Sequence, residues 1–330
     1  MQIKGIASVT YFSIKPNLTK SIIIGDNGDN LYECDMRMLM NKSQQSVMLE
    51  PKLNIQPIDL SIANRCGDEK WLMVELHGTS EHLNDAIAIA ATNSRMVILK
   101  YDAKLGRFKP VRSLDTVTAI NSILFTQHSA IVACDKFFEV DLNSYVAEEF
   151  LDMSDQSLRP TKHSLPMNVF RINSNEFLLC FRDYGVFVDE YGLRAREENL
   201  EWIHPPRAFF YKNFLLFIVH DEMVQILRIN NSTKKHEKDL LTDNNQSRTF
   251  VMMDSEKVFT HNGVMEQYCV NILRQVDAGN GIITQDLITI DAEKAFRINL
   301  NRSMTSIISD SNTSLATMSS VGATSADTVN

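Results

Sequence analysis

Glu176 to Tyr191 reads EFLLCFRDYGVFVDEY, two apolar runs joined by a polar turn. Short runs of this kind, rich in Phe, Val and Leu and bounded by turn residues, read as strands, and two in succession read as a β-hairpin. A second hairpin, FLLFIVHDEMVQIL from Phe214 to Leu227, follows about forty residues later. That recurrence confines the chain to folds built by repeating one sheet unit.

The pattern extends in both directions. Ile22 to Asp35 (IIIGDNGDNLYECD) is a strand, a Gly/Asp/Asn turn and a strand. Ala86 to Tyr101 turns at Thr92 to Ser94, and Ala130 to Leu142 turns at Asp135-Lys136. The Phe177 hairpin turns near Asp183 and the Phe214 hairpin near Asp221. KVFTHNGVMEQYCVNIL turns at His261 to Gly263, and LITIDAEKAFRINL turns near Asp291. Seven units can be counted, to within one. From residue 93 onward the turns fall about forty residues apart, the period of a four-stranded propeller blade. The expectation is an all-β chain, a seven-bladed β-propeller of the WD40-like kind. Several strands are apolar without alternation, as expected where neighbouring blades bury both faces.

Gly185 beside Tyr184 suits a tight turn or a bulge. Met36 to Met40 could form one helical turn or a packed loop. From Ser303 the composition shifts to about half Ser and Thr with few large apolar residues. Such a segment buries too little surface to offset its ordering entropy. The expected organisation is a propeller over residues 1–302 and a disordered tail over 303–330.

Apolar residues make up 44% of the chain, enough for a substantial core, and the net charge is -8. An acidic chain repels phosphate backbones, which argues against general nucleic-acid binding. The five cysteines, Cys34, Cys66, Cys134, Cys180 and Cys269, are scattered and odd in number. They read as buried free thiols in a reducing compartment, and the lack of a CxxC pair leaves a zinc or redox site unsupported. No apolar run reaches spanning length: RAFFYKNFLLFIVH is broken by Lys212. The N-terminus lacks a signal-peptide layout.

Catalytic signatures are missing. GDNGDN has no following helix or Lys-Ser/Thr, so it is a turn and not a phosphate loop. Neither a GxSxG elbow nor the kinase catalytic loop occurs. The eight histidines form no metal-ligand spacing. No cofactor, metal or catalytic residue is therefore expected. His220-Asp221 reads as a polar turn pair, and Glu197-Glu198 as part of a solvated loop of alternating charge. Lys234-Lys235-His236 with Lys238 forms a small basic cluster, an exposed loop or a contact for anionic lipid. Trp202, three residues before Pro205-Pro206, either packs over the blade that follows or anchors an interface.

At the central hairpin the wording becomes specific. Glu176-Phe177-Leu178-Leu179-Cys180-Phe181, then Tyr184-Gly185-Val186-Phe187-Val188-Asp189 and Gly192, resembles the signature of the citron homology (CNH) domain. Arg194-Ala195-Arg196, Leu200-Glu201-Trp202 and the Ala208 to Ile226 segment extend the likeness. The version here is similar to the citron-type Rho-interacting kinase branch, with the Cdc42-binding kinases second. The motif is a folding signature first: its apolar members supply two strands and Asp189 and Gly192 reverse the chain.

The resemblance implies a seven-bladed propeller acting as a protein-interaction scaffold, not an enzyme, in a parent serine/threonine kinase. It implies Rho-family small GTPase partners and cytokinetic ring and midbody proteins. The location it implies is cytoplasmic and cytoskeletal, at the cleavage furrow and midbody of dividing cells. A membrane- or lipid-targeting module, with peripheral membrane association, is the alternative. Vertebrate members of the branch end in a PDZ-ligand-like tail; this chain ends Thr328-Val329-Asn330, so that activity does not transfer. Arg182, Arg194, Arg196 and Trp202 lie in or beside turns and are the expected partner-binding residues, because Arg beside an aromatic suits an interface. On that reading, charge reversal at Arg194 and Arg196 weakens binding without lowering the melting temperature.

Overall fold

The computed structural model describes residues 9–13, 20–25, 28–35, 55–60, 69–78, 86–212, 214–221, 223–229, 248–251, 257–259, 269–277 and 283–291. The stretches 36–40, 234–238 and 303–330 lie outside the described residues. The chain divides into two compact units, Met1–Pro205 and Pro206–Asn330.

Among the described residues the first unit holds four sheets, each an antiparallel meander whose strands pair in chain order. The first sheet is Val9–Ser13, Lys20–Gly25, Leu31–Asp35 and Ile55–Pro57, β1 to β4. The second is Met73–His77, Ile87–Ala91, Arg95–Asp102 and Arg107–Asp115, β5 to β8. The third is Ser122–Phe125, Ser129–Ala133, Phe137–Asp141 and Ala147–Glu149, β9 to β12. The fourth is Pro166–Asn173, Glu176–Phe181, Tyr184–Asp189 and Leu200–Glu201, β13 to β16. A 3-10 helix, Gln156–His163, leads into it, with the Asp155 side chain accepting from the Ser157 N–H at its start.

The central strands show why their sequences fail to alternate between apolar and polar. Successive side chains of a strand point to opposite faces. Along β6, Ala88 and Ala90 pack with Ile22, Ile24 and Leu31 of the first sheet. Ile87, Ile89 and Ala91 pack with Ala130, Val132 and Val140 of the third. Along β10 the partition repeats: Ala130 and Val132 face the second sheet, while Ile131 and Ala133 join Val169, Leu179 and Val186 of the fourth. Both faces are dry, so every residue of β6, β10 and β14 is buried. Each fully buried aliphatic or Phe side chain contributes about 1.5–3 kcal/mol relative to exposure.

The second unit contains Ala208–Lys212, Leu215–Val219, Met223–Arg228 and Arg248–Val251, β17 to β20, in one sheet. Lys257–Phe259, Cys269–Asp277 and Ile283–Asp291, β21 to β23, form another. The RAFFYKNFLLFIVH run is split between β17 and β18, which pair from Ala208↔Val219 to Lys212↔Leu215. LITID is the end of β23, which pairs with β22 from Cys269↔Asp291 to Asp277↔Ile283. The His261–Gly263 turn and the residues after Asp291 lie outside the described residues. The hairpins at 92–94, 135–136, 183 and 221 turn where their sequences indicate.

One expectation is corrected. Gly185 marks neither a turn nor a bulge: it sits inside β15, opposite Cys180 on one side and Leu200 on the other. A Cβ there would stand 2.8 Å from Trp202 Cη2 and 3.1 Å from Leu178 Cδ1. Glycine is present because an indole occupies the space.

Candidate functional site

The fourth sheet carries all four expected partner-binding residues, and its register decides which of them meet. Glu176 pairs with Asp189 at one end of the β14–β15 hairpin, and Cys180 pairs with Gly185 near the other. Six strand residues separate the ends by roughly 20 Å.

Arg194 and Arg196 belong to the Glu176 end. The Arg196 guanidinium donates to both carboxylate oxygens of Glu176, Nε to Oε1 at 2.6 Å and Nη2 to Oε2 at 2.7 Å. Its Cζ lies 3.9 Å from the centroid of the Phe187 ring. Glu176 is 3% exposed, so Arg196 neutralises a buried charge. Arg194 Nη1 donates to the carbonyls of Arg196 and Glu197, and Nη2 to Asn199 Oδ1. The Arg194 backbone N–H donates to Asp155 Oδ2 at 3.2 Å. The Ser157 contacts first, then this one, hold the Asp155 carboxyl below its usual range. Both arginines therefore organise the 193–199 loop. These contacts give both side chains a structural role, so reversing their charge is expected to lower the melting temperature.

The reversal after β15 is built at the same end. Asp189 Oδ1 accepts from the Tyr191 and Leu193 N–H groups, each at 2.9 Å. Gly192 follows at φ +75°, with the Phe150 carbonyl oxygen 1.9 Å from where a Cβ would stand. Its own carbonyl accepts from the Asp152 N–H at 3.1 Å. The signature residues thus tie the fourth sheet to the segment leaving the third.

Arg182 and Trp202 occupy the opposite end. Arg182 is exposed in the β14–β15 turn, with its backbone N–H donating to the Leu165 carbonyl at 2.9 Å. Trp202 is half-buried over its own sheet, beside Gly185, and its Nε1–H donates to the Phe181 carbonyl at 2.9 Å. Tyr184, beside the Phe181 ring, has its phenol pushed up by burial and then by Asp183. The structure therefore brings Arg194 to Arg196 and Arg182 to Trp202, but separates the two pairs by the length of a strand.

Sequence reasoning missed Glu176 as the partner of Arg196, and it missed two exposed aliphatics, Leu165 at 41% and Ile203 at 45% exposure. Leu165 stands immediately before Pro166 and Ile203 immediately after Trp202, a weak signal for edge positions.

In the second unit His220 is buried, with Nε2 3.4 Å from Gln225 Oε1. Asp221 instead accepts from Arg207 Nε at 2.5 Å on the exposed side. Among the described residues, no three or more His, Cys, Asp or Glu converge to hold a metal ion. No helix among them is long and apolar enough to cross a membrane.

Four-stranded antiparallel meanders that share buried faces are the units of a β-propeller. Solved structures of this class match. The AfRom2 CNH domain aligns with a TM-score of 0.60 over 86% of this chain and 80% of that one, at 16% identity. The β-propeller domain of Cps50 (Swd1) from Myceliophteria_thermophila aligns with a TM-score of 0.54 over 86% of each chain, at 10% identity. The fold is all-β and of the β-propeller class. Within it, the CNH domain family matches residues 1–251, and the chain belongs to that family.

Among curated proteins, Citron Rho-interacting kinase of Homo sapiens is 31% identical over 236 residues, 69% of this chain and 11% of that protein. Rho1 guanine nucleotide exchange factor 1 of Schizosaccharomyces pombe is 26% identical over 131 residues, 38% of this chain and 10% of that protein. The chain spans about a tenth of the length of these relatives.

Proposed function

We propose that the chain is the non-catalytic interaction module of a citron-type Rho-interacting serine/threonine kinase. It binds a Rho-family small GTPase and cytoskeletal partners at the cleavage furrow and midbody of dividing cells. The observation that carries this reading is the 31% identity over 236 residues to Citron Rho-interacting kinase. The match to a Rho1 exchange factor adds a second Rho-pathway relative. A CNH module has no reaction of its own to perform, so its contribution is recognition, through exposed side chains on sheet ends and turns.

The test is a pull-down of purified Rho-family GTPases, loaded with GDP or a non-hydrolysable GTP analogue, on the full chain. Saturable binding of at least one loaded GTPase, with recruitment of the chain to the midbody in dividing cells, is expected. If no GTPase binds while anionic vesicles do, in a way that salt abolishes, the membrane-targeting reading replaces this one.

A further inference from the structure

The sign of the charge reverses in one hairpin. The chain carries a net -8, yet residues 95–115 hold six cations against two anions, a net of +4. The rest of the chain therefore sums to -12. These residues are β7, its turn and β8, the outermost hairpin of the second sheet. The register places the charges. Lys100 stands directly opposite Lys109, and Arg112 opposite Ile98. Met96 and Ile98 pack toward the third sheet, so Lys100 shares that face and Lys109 shares it too. In the turn, Asp102 Oδ1 accepts from the Lys104 and Leu105 N–H groups at 2.9 and 3.3 Å. The Gly106 N–H donates to the Asp102 carbonyl at 2.8 Å. The turn closes through its backbone, and both side chains are left outside, Leu105 64% exposed.

The acids within reach do not cancel this charge. Asp102 takes Lys109 at 2.7 Å, and Asp115 takes Arg95 at 2.9 Å. Arg107 Nη2 donates to a neutral partner, the Pro57 carbonyl, at 2.8 Å, and exposed Asp59 nearby offsets at most that one cation. Glu33 is 1% exposed, with Lys20 at 3.8 Å. On the third sheet, Val140 packs toward the second, and Ala147, Phe138 and Glu149 share its face by pairing and alternation. Glu149 is the acid among them, and it holds Lys136 at 2.6 Å. Lys100, Lys104 and Arg112 are exposed, and their side chains make no hydrogen bond or ion pair among the described residues.

Folding has little use for this arrangement, since like charges directly opposite one another destabilise a sheet. Edge lysines do block unwanted strand addition. That role fits Lys109 on β8, but neither Lys100 on the interior strand β7 nor the exposed Leu105. Composition then selects among anionic partners. Protein interfaces are enriched in Arg and aromatics and depleted of Lys. Here three of the four exposed cations are lysines, and the nearby aromatic, Tyr101, is turned edge-on to Phe108 at 5.4 Å. Lysines around an aliphatic turn suit a lipid surface, where the cations meet headgroups and the leucine enters the acyl boundary.

We propose that the β7–β8 hairpin docks the chain on an anionic membrane, with Lys100, Lys104, Lys109 and Arg112 against the headgroups and Leu105 inserted. Asp141 and Glu190, in the corresponding turns of the third and fourth sheets, confine the contact to the second. It stands beside the GTPase reading and does not depend on it.

The experiment sediments the full chain at roughly 0.1 M salt with phosphatidylcholine vesicles, pure or containing about one-third phosphatidylserine. Wild type sediments with the anionic vesicles only, and about 0.5 M salt releases it. Lys100→Glu with Lys104→Glu weakens binding by about tenfold or more, and Leu105→Ser by about threefold or more. Lys162→Glu with Arg182→Glu, the same change of net charge on exposed side chains outside the hairpin, leaves it within about threefold. All four proteins melt together, because every altered side chain is exposed. Wild type that ignores anionic vesicles overturns the proposal, as does wild-type affinity in the hairpin variants. Retention on polyglutamate but not on vesicles, lost in Lys100→Glu with Lys104→Glu, overturns the lipid occupant in favour of an acidic protein. GTPase binding, measured separately, is kept by the hairpin variants; its absence in wild type removes the function proposed above and leaves this contact standing.

Discussion

Arg196 holds Glu176 through two parallel hydrogen bonds of 2.6 and 2.7 Å, across twenty residues of sequence. The pair closes the far end of the β14–β15 hairpin, with Phe187 beneath the guanidinium. A buried carboxylate stripped of the cation that pairs with it is strongly unfavourable, and repair needs either the cation or the loss of the acid.

Arg196→Ala is therefore expected to cost about 3 kcal/mol, the lower end for a buried pair, because the arginine side chain is 23% exposed. Arg196→Lys recovers little of it, since lysine lacks the two-pronged geometry and the ring contact. Arg196→Met combined with Glu176→Gln recovers most of it. Urea midpoints of the four proteins decide this; equal stability of Arg196→Ala and wild type refutes it.

Gly185→Ala places a methyl 2.8 Å from Trp202 Cη2 and 3.0 Å from Cζ2. The expected loss is about 1–3 kcal/mol, because the indole is held by its bond to the Phe181 carbonyl. In a Trp202→Leu background the same substitution costs less than half as much. A double-mutant cycle measures the coupling directly. Additive effects show that the ring is not what excludes a side chain at this position.

Gly192→Ala meets two obstacles at once, a φ of +75° and the Phe150 carbonyl oxygen 1.9 Å from the new carbon. That neighbour is main chain and cannot swing aside. The variant is expected to lose at least about 3 kcal/mol or to accumulate as insoluble protein. Normal yield with a wild-type melting curve contradicts the geometry.

The buried thiols should resist modification. Burial, followed by the Asp135 contact, pushes Cys134 up to about 11, and burial pushes Cys180 well above its ordinary value. A raised thiol pKa leaves almost no thiolate at about pH 8, and thiolate is the reactive form. Iodoacetamide should spare the Cys34, Cys134 and Cys180 peptides of the native chain and label all three after denaturation, as read by peptide mass. Rapid native labelling of Cys180 means that β14 opens far more readily than its packing indicates.

Strand positions were legible because turn residues and apolar runs are local signals. The 92–94 and 135–136 turns and both faces of β6 follow from the residues themselves. Roles set by register were not legible. Glu176 and Arg196 meet only because the chain runs out along β15, reverses at Gly192 and returns. Arg196 therefore looks like one more loop cation in the sequence. Gly185 carries the same lesson: its reason lies in Trp202, seventeen residues on, and nothing between them announces the contact. The split of the four expected site residues between two ends of one sheet likewise depends on pairing that composition does not encode.

The two-sided burial of β6 and β10 has a consequence for how this protein tolerates damage. Ile89 and Ala88 are neighbours along the chain, yet they serve different junctions. Enlarging the alanine jams one seam and trimming the isoleucine hollows the other. Cutting out the whole third sheet would leave two raw hydrocarbon walls, on the second and on the fourth. Shortened versions that stop inside Met1–Pro205 are thus poor reagents, prone to clump through whichever wall the scissors expose.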